Sequence, residues 1–233
     1  MNCIVTGVLD VYRCDGCGTV LRSDGVIIPG TKWMNGHNNN ERPNYISLNK
    51  QLINGYDTIS KNNGITKTKY AMPSLTYIKH MSETEFMDVS NNDNLLSYID
   101  NIVFKESPVC DEYVYKKLTD ALFVERNTTT KNRFNSLIDG KYSMFTESYA
   151  GKRIIWSNMQ SPTSYSRFRI PSNKANDIEY ISKEEIINAM RFSRSSKKES
   201  PQTVVSRALL LLGYSVVDKN LFEKMTYDYV RIQ

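Results

Sequence analysis

Ser182-Lys183-Glu184-Glu185-Ile186-Ile187-Asn188-Ala189-Met190, followed by Ser200-Pro201 and closed by Leu212-Gly213, is the best-punctuated stretch of the chain. Serine with glutamate three places on is the spacing of a capping box, where two side chains satisfy backbone N–H groups at a helix start. Ile186, Ile187 and Met190 then supply an apolar face, so the spacing predicts a helix near residues 183–193. Ser200-Pro201 opens a second helix, because the fixed φ of proline suits the first helical position. Val204, Val205, Ala208, Leu211 and Leu212 form its core face, and Gly213 stands at the C′ position, which favours positive φ. Leu221 to Met225 is expected to add a helical turn, and Tyr227 to Ile232 a closing strand.

Two helices and a terminal strand over residues 179–233 resemble a winged helix-turn-helix. That resemblance implies a basic recognition helix lying in the major groove of DNA. The helix from Pro201 carries only Arg207, whereas Arg191, Arg194, Lys197 and Lys198 gather at the turn before it. A packing unit or a protein–protein module fits the same pattern.

Upstream, hydrophobic spacing predicts helices over Asn94 to Phe104, Asp111 to Glu125 and Lys131 to Ile138, the last stopping at Asp139-Gly140. Arg153 to Trp156 and Tyr165 to Ile170 read as strands, and alternation in the second sets Tyr165, Arg167 and Arg169 on one face. Basic residues and aromatics interleave from Lys131 to Lys198. Lys and Arg suit phosphate contacts, and exposed rings stack on unpaired bases. The candidate nucleic-acid contacts are Arg153, Tyr165, Arg167, Arg169, Arg191, Arg194, Lys197 and Lys198. An ordinary basic surface over an aromatic core would leave the same trace.

The N-terminal part is different in kind. Ile4 to Tyr12 reads as a strand, and Thr19 to Arg22 and Val26 to Ile28 flank Ser23-Asp24-Gly25, a hairpin signal. Between them lies Cys14-Asp15-Gly16-Cys17-Gly18. Two thiolates three positions apart can grip one metal ion, and the glycines let the backbone turn tightly around it. A tetrahedral Zn²⁺ site needs two more ligands, for which Cys3 and His37 are the local candidates and Cys110 and His80 the distant ones. The alternative is a tight turn carrying two free thiols. The first thirty or so residues resemble one half of a zinc ribbon, without the second Cys-x-x-Cys. The region is also similar to HNH-type nucleases, but Gly25 stands where their metal-binding histidine belongs. Pro29 to Pro73 is polar and Asn-rich and is expected to be loops, with a short element at Tyr45 to Ile53.

Composition sets the outer bounds. A chain of 233 residues with 40% hydrophobic and 24% charged residues can bury a sizeable core. No apolar run approaches the roughly 20 residues of a membrane span, and the N-terminus lacks the pattern of a secretory signal. Four scattered cysteines do not make a disulfide framework. An intracellular protein, of cytoplasm or nucleus, is therefore expected. The net charge of +5 is uneven, with acidic residues in excess up to Glu112 and basic ones after it.

The expected architecture is therefore α+β, with a β-rich module over residues 1–90 and a basic mixed domain over 91–233. The expected function is DNA or RNA binding as a transcription or replication accessory factor, with phage or viral origin suggested by the Asn, Ile, Lys and Tyr content. A metal-dependent nuclease is the second reading, and a virion, assembly or other protein-interaction protein the third. No P-loop, Gly-x-Gly-x-x-Gly, Gly-x-Ser-x-Gly or His-Glu-x-x-His occurs.

Overall fold

A computed structural model of the protein describes residues 2–6, 9–13, 20–22, 45–56, 58–73, 75, 78–170 and 177–232, the first three as backbone strands. The chain divides into two units, Met1–Ile46 and Ser47–Gln233.

In the first unit β1 (Asn2–Thr6), β2 (Leu9–Arg13) and β3 (Val20–Arg22) form an antiparallel sheet in that order. Asn2 lies opposite Arg13 and Thr6 opposite Leu9, while Val11 and Arg13 face Arg22 and Val20. The run expected as one strand is thus two strands folded back on each other. Val26 to Ile28 and the Asp24-Gly25 turn lie outside the described residues.

β4 (Tyr45–Ser47) spans the boundary of the units and precedes a 3-10 turn at Lys50–Ile53. The larger unit continues with β5 (Lys61–Asn62), β6 (Ile65–Lys69), α1 (Glu83–Met87), α2 (Asn92–Glu106), β7 (Val109–Cys110), α3 (Asp111–Leu122) and α4 (Thr128–Lys141). It is completed by β8 (Phe145–Glu147), β9 (Arg153–Ile155), β10 (Arg167–Ile170), α5 (Lys183–Ser193), α6 (Pro201–Leu211), β11 (Val216–Asp218) and α7 (Lys219–Arg231). The protein is mixed α+β.

α1 to α4 pack around Phe86, Leu95, Ile99, Ile102, Leu118, Phe134 and Ile138, all fully buried. Burying such side chains stabilises by about 1.5–3 kcal/mol each, which is what holds the helices together. An antiparallel sheet in the order β7-β9-β8 carries Cys110, Ile154 and Trp156 into a smaller cluster. Strand order β10-β6-β5 forms a third sheet, with β10 parallel to β6. α5 lies against this sheet, α6 against α5, and α7 against α6. Phe168 from β10 meets Phe192 from α5 edge-on, with ring centroids 5.1 Å apart.

β5 and β6 arise from a stretch expected to be loop. Asn63 (φ 49°) and Gly64 (φ 78°) turn the chain between them, and both residue types tolerate positive φ. The expected closing strand from Tyr227 is instead the second half of α7. Phe222, Met225 and Tyr229 are buried at helical spacing, and this periodicity overrides the β propensity of Tyr and Val. Among the described residues no helix is long and apolar enough to cross a membrane.

Candidate nucleic-acid interface

A helix leaves its last carbonyl groups without intrahelical donors, so the end of α5 must find partners elsewhere. Side chains supply them. Asn62 Nδ2 donates to Phe192 O (2.7 Å), and Asn63 Nδ2 donates to both Arg191 O (2.8 Å) and Arg194 O (3.0 Å). Ser193 O accepts from the Tyr56 hydroxyl (3.0 Å) and from Arg207 Nη1 (2.6 Å). The β5–β6 hairpin and α6 therefore hold the backbone from Arg191 to Arg194, while the Arg191 and Arg194 side chains take no part in the capping.

The loop from α5 to α6 is cinched by Glu199. Its Oε2 accepts from Ser195 N (3.0 Å) and Ser195 Oγ (2.8 Å), and its Oε1 accepts from Arg207 Nη2 (2.6 Å). The Arg207 guanidinium and the Ser195 donors hold the carboxyl down at about 2, so it is ionised but neutralised from the protein side. Arg207 itself is buried, and its remaining donors go to Leu52 O and Ser193 O.

A groove of about 340 Å³ results, lined by Asn63, Arg191, Arg194, Ser195, Ser196, Lys197, Tyr229 and Ile232. Three of the cations expected at this turn thus converge on one concavity, and Lys198 lies exposed beside it in the loop. Among the described residues none of Arg191, Arg194, Lys197 and Lys198 enters an ion pair. Arrayed cations without carboxylate partners are the kind of feature that attracts polyanions.

The other expected contacts are placed differently. Arg169 is in the interior, where its guanidinium donates to both Glu185 oxygens (2.7 and 2.6 Å), to Pro108 O (2.6 Å) and to Glu106 O. Strand alternation set its face, but burial beside a carboxylate uses up its donors, and it is removed from the candidate surface. Glu185 consequently does not complete the expected capping box; only the Ser182 Oγ half is made, to Glu185 N at 3.1 Å. Arg153 is held by Asp111 (2.9 Å) and Asp139 (2.6 Å). Tyr165 stands edge-on to Trp156 at 5.1 Å, and burial raises its hydroxyl well above the usual tyrosine range. Arg167 is exposed and stacks on the Tyr165 ring at 5.4 Å, outside the groove.

Below the Arg169–Glu185 pair is a second cavity of about 20 Å³, room for about one water. Cys110 lines it, and burial pushes this thiol up to about 11, so it stays protonated and unreactive. Cys110 and His80 were the distant metal candidates. Cys110 is buried beside Ile154 and Trp156, and His80 lies against the Phe123 ring at 4.0 Å. Cys14, Cys17 and His37 lie outside the described residues. Cys3 is in β1 opposite Tyr12, at the end of the hairpin where β2 leads into Cys14. Among the described residues no group of three or more His, Cys, Asp or Glu is arranged to hold a metal.

The roles of Tyr56, Asn62 and Asn63 are not legible in sequence because their partners lie 128 to 137 residues away, that of Glu199 because it depends on how the α5–α6 loop closes onto Ser195 and Arg207, and that of Tyr229 because it lies at the end of a helix read as a strand. Comparison with known protein families, curated proteins and solved structures finds no match.

Proposed function

We propose that the protein binds nucleic acid, DNA or RNA, through the groove formed by the α5–α6 loop, the β5–β6 turn and the end of α7. The observation that carries this reading is the convergence of Arg191, Arg194 and Lys197 without ion-pair partners among the described residues, while the nearby carboxylate of Glu199 is held by Arg207. A role as an accessory factor in transcription or replication, in a phage or virus-infected cell, suits a binder without an assigned reaction centre. A structural Zn²⁺ held by Cys14 and Cys17 and closed by Cys3 and His37 belongs to the same proposal. The β1–β2 register supports it by bringing Cys3 to the knuckle end of the sheet. Such an ion would cross-link the smaller unit and take no part in contacts to the ligand.

The test is binding of fluorescent oligonucleotides by anisotropy across a salt series. Arg191→Glu with Arg194→Glu should lower affinity by more than about tenfold at low salt and flatten the salt dependence, since each lost phosphate contact removes about 0.7–0.9 from its slope. Equal binding by the variant, with helix content intact by circular dichroism, overturns the assignment of this groove.

A further inference from the structure

We infer that the groove takes single-stranded nucleic acid in preference to duplex, an inference that rests on the nucleic-acid reading above. The first argument is what the three helices around the groove can offer a duplex. Reading or clamping a duplex through its major groove needs a helix that protrudes and carries polar and basic groups along its exposed face. α6 is enclosed: Val204, Val205, Ala208, Leu209, Leu210 and Leu211 are buried, as is Arg207, its one arginine. α5 is buried along most of its length, and its exposed basic group is Arg191 at the last turn. α7 turns Glu223, Lys224, Tyr227, Val230 and Arg231 outward, a mixed face whose acid Glu223 pairs with Lys219 at 3.7 Å. None of the three presents a basic reading face.

The second argument is where the cations are. They do not stand on a convex edge but line a concavity of about 340 Å³, at the small end of the size range of ligand pockets. A duplex is a convex cylinder and would touch only the rim. A single strand is thin enough to lie in the groove, where guanidinium and ammonium groups from the α5–α6 loop meet its phosphates.

The lining supplies the third argument. Opposite the cationic loop is the end of α7, where the exposed Ile232 gives an aliphatic wall, Tyr229 beside it being buried in the core. Single-strand sites pair such a basic track with apolar or aromatic surface, because unpaired bases expose their faces and duplex bases do not. The Asn63 amide nitrogen is committed to Arg191 O and Arg194 O, so its carbonyl oxygen is the end available to a base. The shared chemistry is a phosphodiester strand with unstacked bases, whether deoxyribose or ribose.

The experiment uses the full chain and three fluorescent probes of matched mixed sequence, about 20 nucleotides long: single-stranded DNA, single-stranded RNA and a DNA duplex. Each is titrated from low to moderate salt. Both or one of the single strands should bind at least about tenfold tighter than duplex, and contact with three phosphates predicts a log–log salt slope near −2. The DNA and RNA arms identify which strand is the ligand. Arg191→Glu/Arg194→Glu should abolish the preference, whereas Lys116→Glu, a charge reversal at an exposed position on α3 with half the total charge change, should leave it. If the reversal pair fails to fold, Arg191→Gln/Arg194→Gln serves instead: it removes the same two phosphate contacts, so a similar slope change is expected with a smaller fall in affinity. Duplex binding as tight as single strand overturns the inference and leaves the nucleic-acid reading standing. Absence of binding to all three probes, or binding indifferent to the groove variants, overturns both.

Discussion

Replacing Glu199 by Gln removes one charge while keeping the side chain's shape, and the structure sets what this should cost. Glu199 holds the α5–α6 loop through Ser195 and meets Arg207, with side-chain exposures of only 11% and 9% across the pair. Its carboxyl sits at about 2 in the folded protein against an ordinary 4.5. Folded below unfolded means stabilisation that is fully present above pH 4.5 and is lost as pH falls towards 2. The difference corresponds to about 3 kcal/mol at most, and water reaching the loop screens it to about 2 kcal/mol. Urea unfolding of wild type and Glu199→Gln is to be followed by helical circular dichroism, since every helix among the described residues lies in the larger unit. A gap of about 2 kcal/mol is expected at pH 7, falling to less than half of that near pH 3. All other carboxylates titrate in both proteins and cancel. A gap that is independent of pH, or one below about 0.5 kcal/mol at neutral pH, would refute the account of Glu199 as an ionised clamp.

Three further outcomes test other parts of the molecule. Glu185→Ala strands the Arg169 guanidinium in the interior and should destabilise by about 3–5 kcal/mol in thermal or urea unfolding, with the Arg169→Met/Glu185→Leu pair recovering part of that. Asn63→Ala removes both hydrogen bonds to the α5 terminus and places alanine at positive φ, so about 1–3 kcal/mol should be lost, together with nucleic-acid affinity, because Arg191 and Arg194 are no longer positioned. Zinc analysis of protein purified without chelator should find one ion per chain, absent after Cys14→Ser, if the knuckle is a metal site; a metal-free wild type sinks that proposal.

Local chemistry was legible wherever a feature depends on neighbours in sequence. Ser182, Ser200, Pro201 and Gly213 mark the ends of α5 and α6, because caps and φ preferences act within one turn. The clustering of Arg191, Arg194, Lys197 and Lys198 was equally plain. β5 and β6 are not legible in sequence because both are short and polar: β6 takes its strand character from pairing with β10, a hundred residues away, and β5 from pairing with β6 in turn. α7 was split into turn and strand because Tyr and Val favour strands until the buried Phe222, Met225 and Tyr229 spacing decides.

What the amino-acid sequence determined alone was the helix punctuation of the tail, the α+β class and the basic bias of the second half. Only the tertiary structure decided which cations are available. Arg167, Arg169 and Arg191 look alike in sequence, yet Arg169 is closed in against Glu185 and Arg191 opens onto a groove. The reason is physical: a guanidinium's availability depends on which acceptors the fold brings within about 3 Å of it, and those acceptors, Glu185, Pro108 and Glu106 for Arg169, come from elements that meet only when the chain is folded.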